Sequence, residues 1–261
     1  MRRQVPLPWK SLDWRDVSSD QLEAKFDSLL DEDRKQGFPL DRAPLMRLSL
    51  IQIGDNRWRF VLSIHHLVVD GWSLAQLVKE VLLAYQLLRS NSPLALDPAP
   101  SLRCYMAWLK KQSFDEAQEF WHNYLQDVRG GVKLGFEINQ LEHDDDRLGK
   151  TSARLSVGST NALEEFAREH RLTLNTVVQA AWSILLSRYS GETDVVYGFV
   201  TSGRSAPVKG IGSMVGMLVN TLPMRAQVDP HANLVSWLQQ FQKSQADARK
   251  YEHSSLVHVR K

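Results

Sequence analysis

The sequence predicts a mixed α/β fold divided into two lobes, and three observations predict it: a hairpin signal in the first half, long helical periodicities on either side, and a break in periodicity near the middle. From Arg47 to Ile64 two β-rich apolar runs flank the turn formers Gly54-Asp55-Asn56-Arg57, and Trp58, Phe60, Leu62 and Ile64 alternate onto one face of the second run. After the peptide HHLVVDGW, Ser73 is placed to cap a helix in which Leu74, Leu77, Val78, Val81, Leu82, Tyr85 and Leu88 keep helical spacing. A second helix is expected over 115–125, with Phe120, Trp121, Tyr124 and Leu125 as a packing stripe. Between Arg129 and Lys150 glycines and charges replace the pattern, which makes this stretch the linker and puts the lobes at 1–145 and 146–261. Beyond it come a strand over 153–157, a helix capped near Ser159, and a helix from Thr173 with Val177, Val178, Ala181, Trp182, Leu185 and Leu186 inward, ended by Gly191. Strands over 195–200 and 217–228 and a helix over 234–250 complete the reading.

With 261 residues, 43% of them apolar, the chain can bury a large core. A net charge of +2, with the basic residues scattered, gives nucleic-acid binding no support. A single cysteine, Cys104, cannot form an internal disulfide, and the opening MRRQVPLPWK has no apolar stretch behind its basic pair. No apolar run approaches the length of a membrane span, so the expected location is cytoplasmic.

Chemistry concentrates in HHxxxDG, formed by His65, His66, Asp70 and Gly71 at a strand-to-helix junction. A histidine there can take or give a proton near neutral pH, which suits attack of an amine or hydroxyl on a thioester. Asp70 could orient a ring or pair with an arginine, and Gly71 could let a substrate approach the backbone. The same residues are equally consistent with a strand-end hydrogen bond, a helix cap and a chain turn. The acidic run Glu142-His143-Asp144-Asp145-Asp146 resembles a metal site in composition only, because consecutive side chains point in different directions. A metal on HHxxxD would need a third ligand such as His122 or His143, and the pattern places neither.

HHLVVDGWS resembles the signature of the condensation domains of nonribosomal peptide synthetases, within the chloramphenicol acetyltransferase-like superfamily. FPLDRAPLMRLSL, SLRCYMAWLKKQ with Tyr105 and Trp108, SGRSAPVKGIGSMVGMLVNTLPMR and YEHSSLVHV agree in order, so the resemblance runs from about Leu7 to Val259. It implies two chloramphenicol acetyltransferase-like lobes around a tunnel. The implied reaction is an acyl transfer that forms an amide bond between two acyl or aminoacyl thioesters. Both are carried on the 4'-phosphopantetheine of donor and acceptor peptidyl carrier proteins, beside other synthetase domains, with no directly bound cofactor, metal or membrane. Carried over, the catalytic position is His66, with His65 as its neighbour, Asp70 chiefly structural, and Gly71 beside the acceptor amine. Trp72, Ser73 and Asn220 are expected to line the tunnel or support it. Arg204 is the expected counter-charge for Asp70, whose exchange for Met should then cost solubility.

The family's opening motifs have no counterpart before Pro6 and its closing motif is missing after YEHSSLVHV, so the first lobe is expected to be incomplete and the chain truncated at both ends. An open sheet edge is expected to reduce solubility. Cyclisation is disfavoured by the HHLVVDG spelling, ester formation stays open, and a catalytically silent platform for a carrier protein or tailoring enzyme is the alternative reading.

Overall fold

A computed structural model of the chain describes residues 5–128, 132–134 and 151–259. Its contacts divide the chain into two compact units, Met1–Met106 with Ala206–Leu218, and Ala107–Ser205 with Val219–Lys261. The chain therefore enters the first unit twice. Most of the linker expected over 129–150, the acidic run and the boundary at 145 lie outside the described residues.

The first unit holds a sheet in the order β1 (Trp9–Asp13), β2 (Met46–Gly54), β3 (Arg57–Ile64). β2 and β3 form the expected antiparallel hairpin, with Leu48 opposite Leu62 and Leu50 opposite Phe60, and the register slips between Gln52 and Gly54 at its tip. β1, too short and too mixed to signal itself, joins parallel to β2 with Trp9 beside Leu48. The face of Trp58 and Phe60 is half open, these two rings being 50% and 48% exposed. Helix α1 (Ser19–Gln36), not foreseen although Leu22, Phe26, Leu29 and Leu30 keep helical spacing, lies on the opposite face, that of Ile51, which is fully buried.

The contact between α1 and the sheet is ionic. Arg47 on β2 pairs with Asp33 of α1, donates from Nη1 to the Gly37 carbonyl at 2.7 Å, and lies 4.3 Å from the Phe38 ring centre. Ser63 of β3 donates to the other Asp33 oxygen at 2.5 Å. Nearer the helix start, Arg59 pairs with Glu23 and covers the Phe26 ring at 4.5 Å. This strand face carries Arg47, Ser49 and Ile51 on β2 opposite Ser63, Val61 and Arg59 on β3, so a helix rich in acidic residues docks where the two arginines reach over it.

Helix α2 (Gly71–Arg89) follows β3, but Asp70, not Ser73, is its N-cap. Its apolar stripe is largely outward: Val81, Leu82, Tyr85 and Leu88 are each more than half exposed. Helix α3 (Leu102–Leu109) buries Tyr105.

In the second unit α4 (Phe114–Tyr124) buries Trp121, as its spacing predicted, and stacks Phe120 on Tyr124 and Tyr251. Residues 151–156 form no strand; their place is taken by the approach to α5 (Val157–Glu169), capped by Ser156, which accepts from the Ser159 amide. α6 (Leu174–Ser190) is capped by Thr173 and closed by left-handed Gly191. Its inward face is only partly the expected one: Leu186 is buried and Val177 packs against the core, but small and polar residues share that face. Thr176, Ala180, Ser183 and Ser187 are buried, while Val178, Trp182 and Leu185 face out. Small residues let α6 approach α7 (Leu234–Arg249), and the polar ones are satisfied. Thr176 Oγ1 lies 2.9 Å from the Gln245 amide oxygen, and Gln245 in turn donates to Gln179 at 2.9 Å. β4 (Asp194–Thr201) and β5 (Asn220–Gln227) pair antiparallel and send Val195, Phe199, Leu222, Met224 and Ala226 into the core with Leu238 and Phe241. A short helix α8 (Leu256–Val259) ends the described chain.

Asp33 gives a test of the ionic contact. Its carboxyl is held below the usual carboxylate value by the Arg47 and Ser63 hydrogen bonds, against the opposing effect of burial. A folded pKa below the unfolded one stabilises the fold above the ordinary carboxylate range and is lost as pH falls through the folded value. Asp33→Asn should cost about 1–3 kcal/mol in urea denaturation near neutrality. The gap to wild type should close between about pH 5 and pH 2, whereas a gap that stays constant over that range would refute the assignment.

Candidate functional site

β3 ends at Ile64, and the next six residues turn the chain into α2. His65 still belongs to the sheet: its amide donates to the Leu45 carbonyl at 2.9 Å. Its carbonyl accepts from Val68 at 3.1 Å, and its ring Nδ1 accepts from the Leu67 amide at 3.1 Å, so the ring of a neutral His65 carries its proton on Nε2. The Phe38 ring meets this imidazole edge-on at 6.1 Å between centroids. His65 is thus a turn-builder. His66, one residue on, is the first residue inside that turn and is exposed.

Asp70 is 1% exposed and serves the backbone. One carboxylate oxygen accepts from the Ser73 amide at 2.7 Å, closing the first turn of α2, and the other accepts from the Leu218 amide at 3.0 Å. The Asp70 amide donates to the Gly216 carbonyl at 3.3 Å. Ser73, fully buried, lies across the same glycine: its hydroxyl donates to the Gly216 carbonyl at 2.9 Å and accepts from the Gly216 amide at 3.1 Å. Trp72 Nε1 donates to the Gly212 carbonyl at 3.0 Å while its ring stays exposed. The peptide DGWS therefore grips the segment 212–218, so two motifs far apart in sequence, HHxxxDG and VGMLV, are one structure. The fit is close on both sides, because a Cβ on Gly216 would stand 3.0 Å from Leu102 and one on Gly210, whose φ is +77°, 2.7 Å from Pro100.

Gly71 behaves differently. A Cβ there would meet nothing within 4 Å, and its φ lies outside the left-handed region, so the chain's own packing does not demand a glycine. It opens the end of a groove of about 710 Å³ along α2 that Leu74, Ala75, Val78, Lys79 and Leu82 also line. Among the described residues no three His, Cys, Asp or Glu side chains come together as a metal site.

His65, His66, Asp70, Gly71, Trp72 and Ser73 thus share one loop and helix start in the first unit, whereas Arg204 and Asn220 belong to the second. Arg204 binds Ser202 locally, through its amide to the hydroxyl at 3.3 Å and through Nη1 to the carbonyl at 3.2 Å. Asn220 is fully engaged. Its Nδ2 donates to the Glu252 and Ser254 carbonyls at 2.8 and 2.6 Å, and its Oδ1 accepts from the Thr221 amide at 2.9 Å. It therefore ties β5 to the YEHSS segment, where buried Glu252 accepts from the Ser205 amide at 3.2 Å and from its hydroxyl. Burial pushes the His253 imidazole below the ordinary histidine value, with the Trp108 ring edge-on at 5.8 Å. Glu252 and Gly216 escaped the sequence reading because their partners lie 47 and 143 residues away.

Removal of the Asp70 carboxylate should leave the Ser73 and Leu218 amides buried without acceptors. Asp70→Ala is expected to lose about 2–5 kcal/mol of stability and to speed exchange of the Leu218 amide hydrogen; a Leu218 amide exchanging as in wild type would show that the carboxylate is not its acceptor.

A family model described as Condensation domain matches residues 1–260. One of the linear gramicidin synthase proteins of Brevibacillus parabrevis is 39% identical over 245 residues, which are 93% of this chain and 5% of that protein. Among solved structures, the X-domain from teicoplanin biosynthesis superposes with a TM-score of 0.78 at 20% identity, over 98% of this chain and 57% of that one. The starter condensation domain of rhizomide synthetase, in complex with C8-CoA, gives 0.75 at 20% identity over 98% and 58%. The chain therefore spans a small part of the curated relatives and somewhat over half of the solved domains.

Proposed function

Because the chain belongs to the condensation-domain family of nonribosomal peptide synthetases, we propose that it joins two carrier-bound thioesters by an amide bond at His66. The observation that carries this reading is the division of roles inside HHxxxDG: the His65 ring and the Asp70 carboxylate are both occupied by backbone amides, and the His66 imidazole alone is left exposed beside the open Gly71.

In the proposed reaction the acceptor's amine nitrogen attacks the carbonyl carbon of the donor thioester. The carbon–nitrogen bond forms, the tetrahedral intermediate collapses, and the carbon–sulfur bond breaks to release the donor's phosphopantetheine thiol, which takes the proton that the amine gives up. An imidazole at His66 can hydrogen-bond that amine and carry the proton from nitrogen to sulfur. Gly71, without a side chain, leaves room for the amine at the helix start. The proposed substrates are acyl or aminoacyl groups on two peptidyl carrier proteins, within a cytoplasmic synthetase. The C8-CoA bound by the rhizomide synthetase domain is itself an acyl thioester, which supports the donor class.

Mass spectrometry of amide product, from an acyl thioester on a donor carrier protein and an aminoacyl thioester on an acceptor carrier, tests the reading. His66→Ala should slow product formation on the order of a hundredfold or more while carrier binding persists. Product formed equally by both proteins would remove His66 from the chemistry, and carrier binding without product from either would make the chain a silent platform.

A further inference from the structure

The His66 ring has no protein partner among the described residues, so nothing fixes its direction except the backbone on either side of it. On the upstream side that backbone is fixed by β3 and the His65 turn. On the downstream side Val69 and Asp70 are buried, and the chain is fixed only as firmly as the first turn of α2 is held against 214–218. Asp70 supplies part of that hold. Ser73 supplies another part in an unusual way, because its hydroxyl bonds both the carbonyl and the amide of one residue, Gly216, closing a small ring of the kind two paired strands make. The same hydroxyl lies 3.5 Å from the Met214 carbonyl, too long to compete with Gly216. A helix-start serine ordinarily faces solvent or caps its own turn. Here it is fully buried, and its partner glycine has no room for a side chain beside Leu102.

We propose that Ser73 is a positioning residue for His66, acting through the Gly216 ring to lock the 66–70 loop in the direction that presents the imidazole to its substrate. The inference rests on the reading of His66 as the reacting group. A hydroxyl so placed is sensitive to small changes: without it the Gly216 amide has no acceptor, and the loop end gains freedom at the point from which the imidazole is aimed.

The test compares wild type with Ser73→Ala and, should that variant fold poorly, the near-isosteric Ser73→Cys. Leu238→Ala, in the core of the second unit, serves as a control of lowered stability. Exchange of the Gly216 amide hydrogen should quicken about tenfold or more in the Ser73 variant, as loss of one hydrogen bond of ordinary net strength implies, and the His66 ring Cε1–H resonance should broaden or split. In the condensation assay kcat should fall on the order of a hundredfold while KM for the acceptor thioester stays within about threefold of wild type. The Leu238 control should lower the melting temperature without changing the His66 resonance. A Ser73 variant with faster Gly216 exchange but an unaltered His66 resonance and kcat would overturn the proposal, as would an equal resonance change in the control. If His66→Ala proves fully active, the reading of the site falls, yet the resonance still decides whether Ser73 orients the ring.

Discussion

The interaction on which the rest depends is the burial of one carboxylate and one hydroxyl, Asp70 and Ser73, against the backbone of Gly216 and Leu218. A carboxylate that is 1% exposed is costly unless its oxygens are hydrogen-bonded, and here each oxygen has a backbone amide. The bonds are not interchangeable with water, because the first turn of α2 and the returning segment 206–218 close over them. Asp70 thus does two things that are usually separate: it starts a helix, and it specifies which distant stretch of chain lies across that start. Backbone partners make the choice strict in geometry while leaving side chains near the loop free to vary.

This requirement explains why the chain returns to its first unit. β4 and β5 pair with each other in the second unit, yet the residues between them, 206–218, are assigned to the first. A connection between adjacent antiparallel strands needs only a few residues. The longer excursion is held by polar contacts and by close apposition of Gly210 and Gly216 to Pro100 and Leu102, where two glycines serve the approach of one backbone to another. Asn220 and Glu252 play the corresponding part in the second unit, tying the start of β5 and Ser205, beyond the end of β4, to the YEHSS segment.

What was legible in the sequence follows from how far each signal reaches. The hairpin 46–64, the caps at Thr173 and Gly191 and the Trp121 stripe are local signals, and they appear where periodicity and turn chemistry put them. HHxxxDG was legible as a strand-to-helix junction. Its internal roles were not, because spacing cannot show that the Asp70 oxygens accept from amides in residues 73 and 218. The inward faces of α2 and α6 are read from the sequence only in part: Val177 and Leu186 of α6 face the core as expected, but Val178, Trp182 and Leu185, like much of the α2 stripe, are exposed. α6 also packs through Thr176, Ala180 and Ser183, since small side chains permit close approach and α7 offers Gln242 and Gln245 as partners. β1 leaves little trace in the sequence because a five-residue parallel strand has no turn to announce it, whereas α1 does carry a helical period, Leu22, Phe26, Leu29 and Leu30, among many charged residues.

The two histidines show how one motif can combine rigidity and access. At the turn that follows β3 the two neighbouring rings have different surroundings, one hydrogen-bonded and the other exposed. His65 takes the inner side, where its ring accepts the Leu67 amide and meets Phe38; the turn so built sends His66 outward. The inner ring is taken up by the Leu67 amide, whereas the outer ring stays exposed. The buried carboxylate at Asp70 fits the same logic. With each oxygen accepting from a backbone amide, it holds the start of α2 to the returning segment.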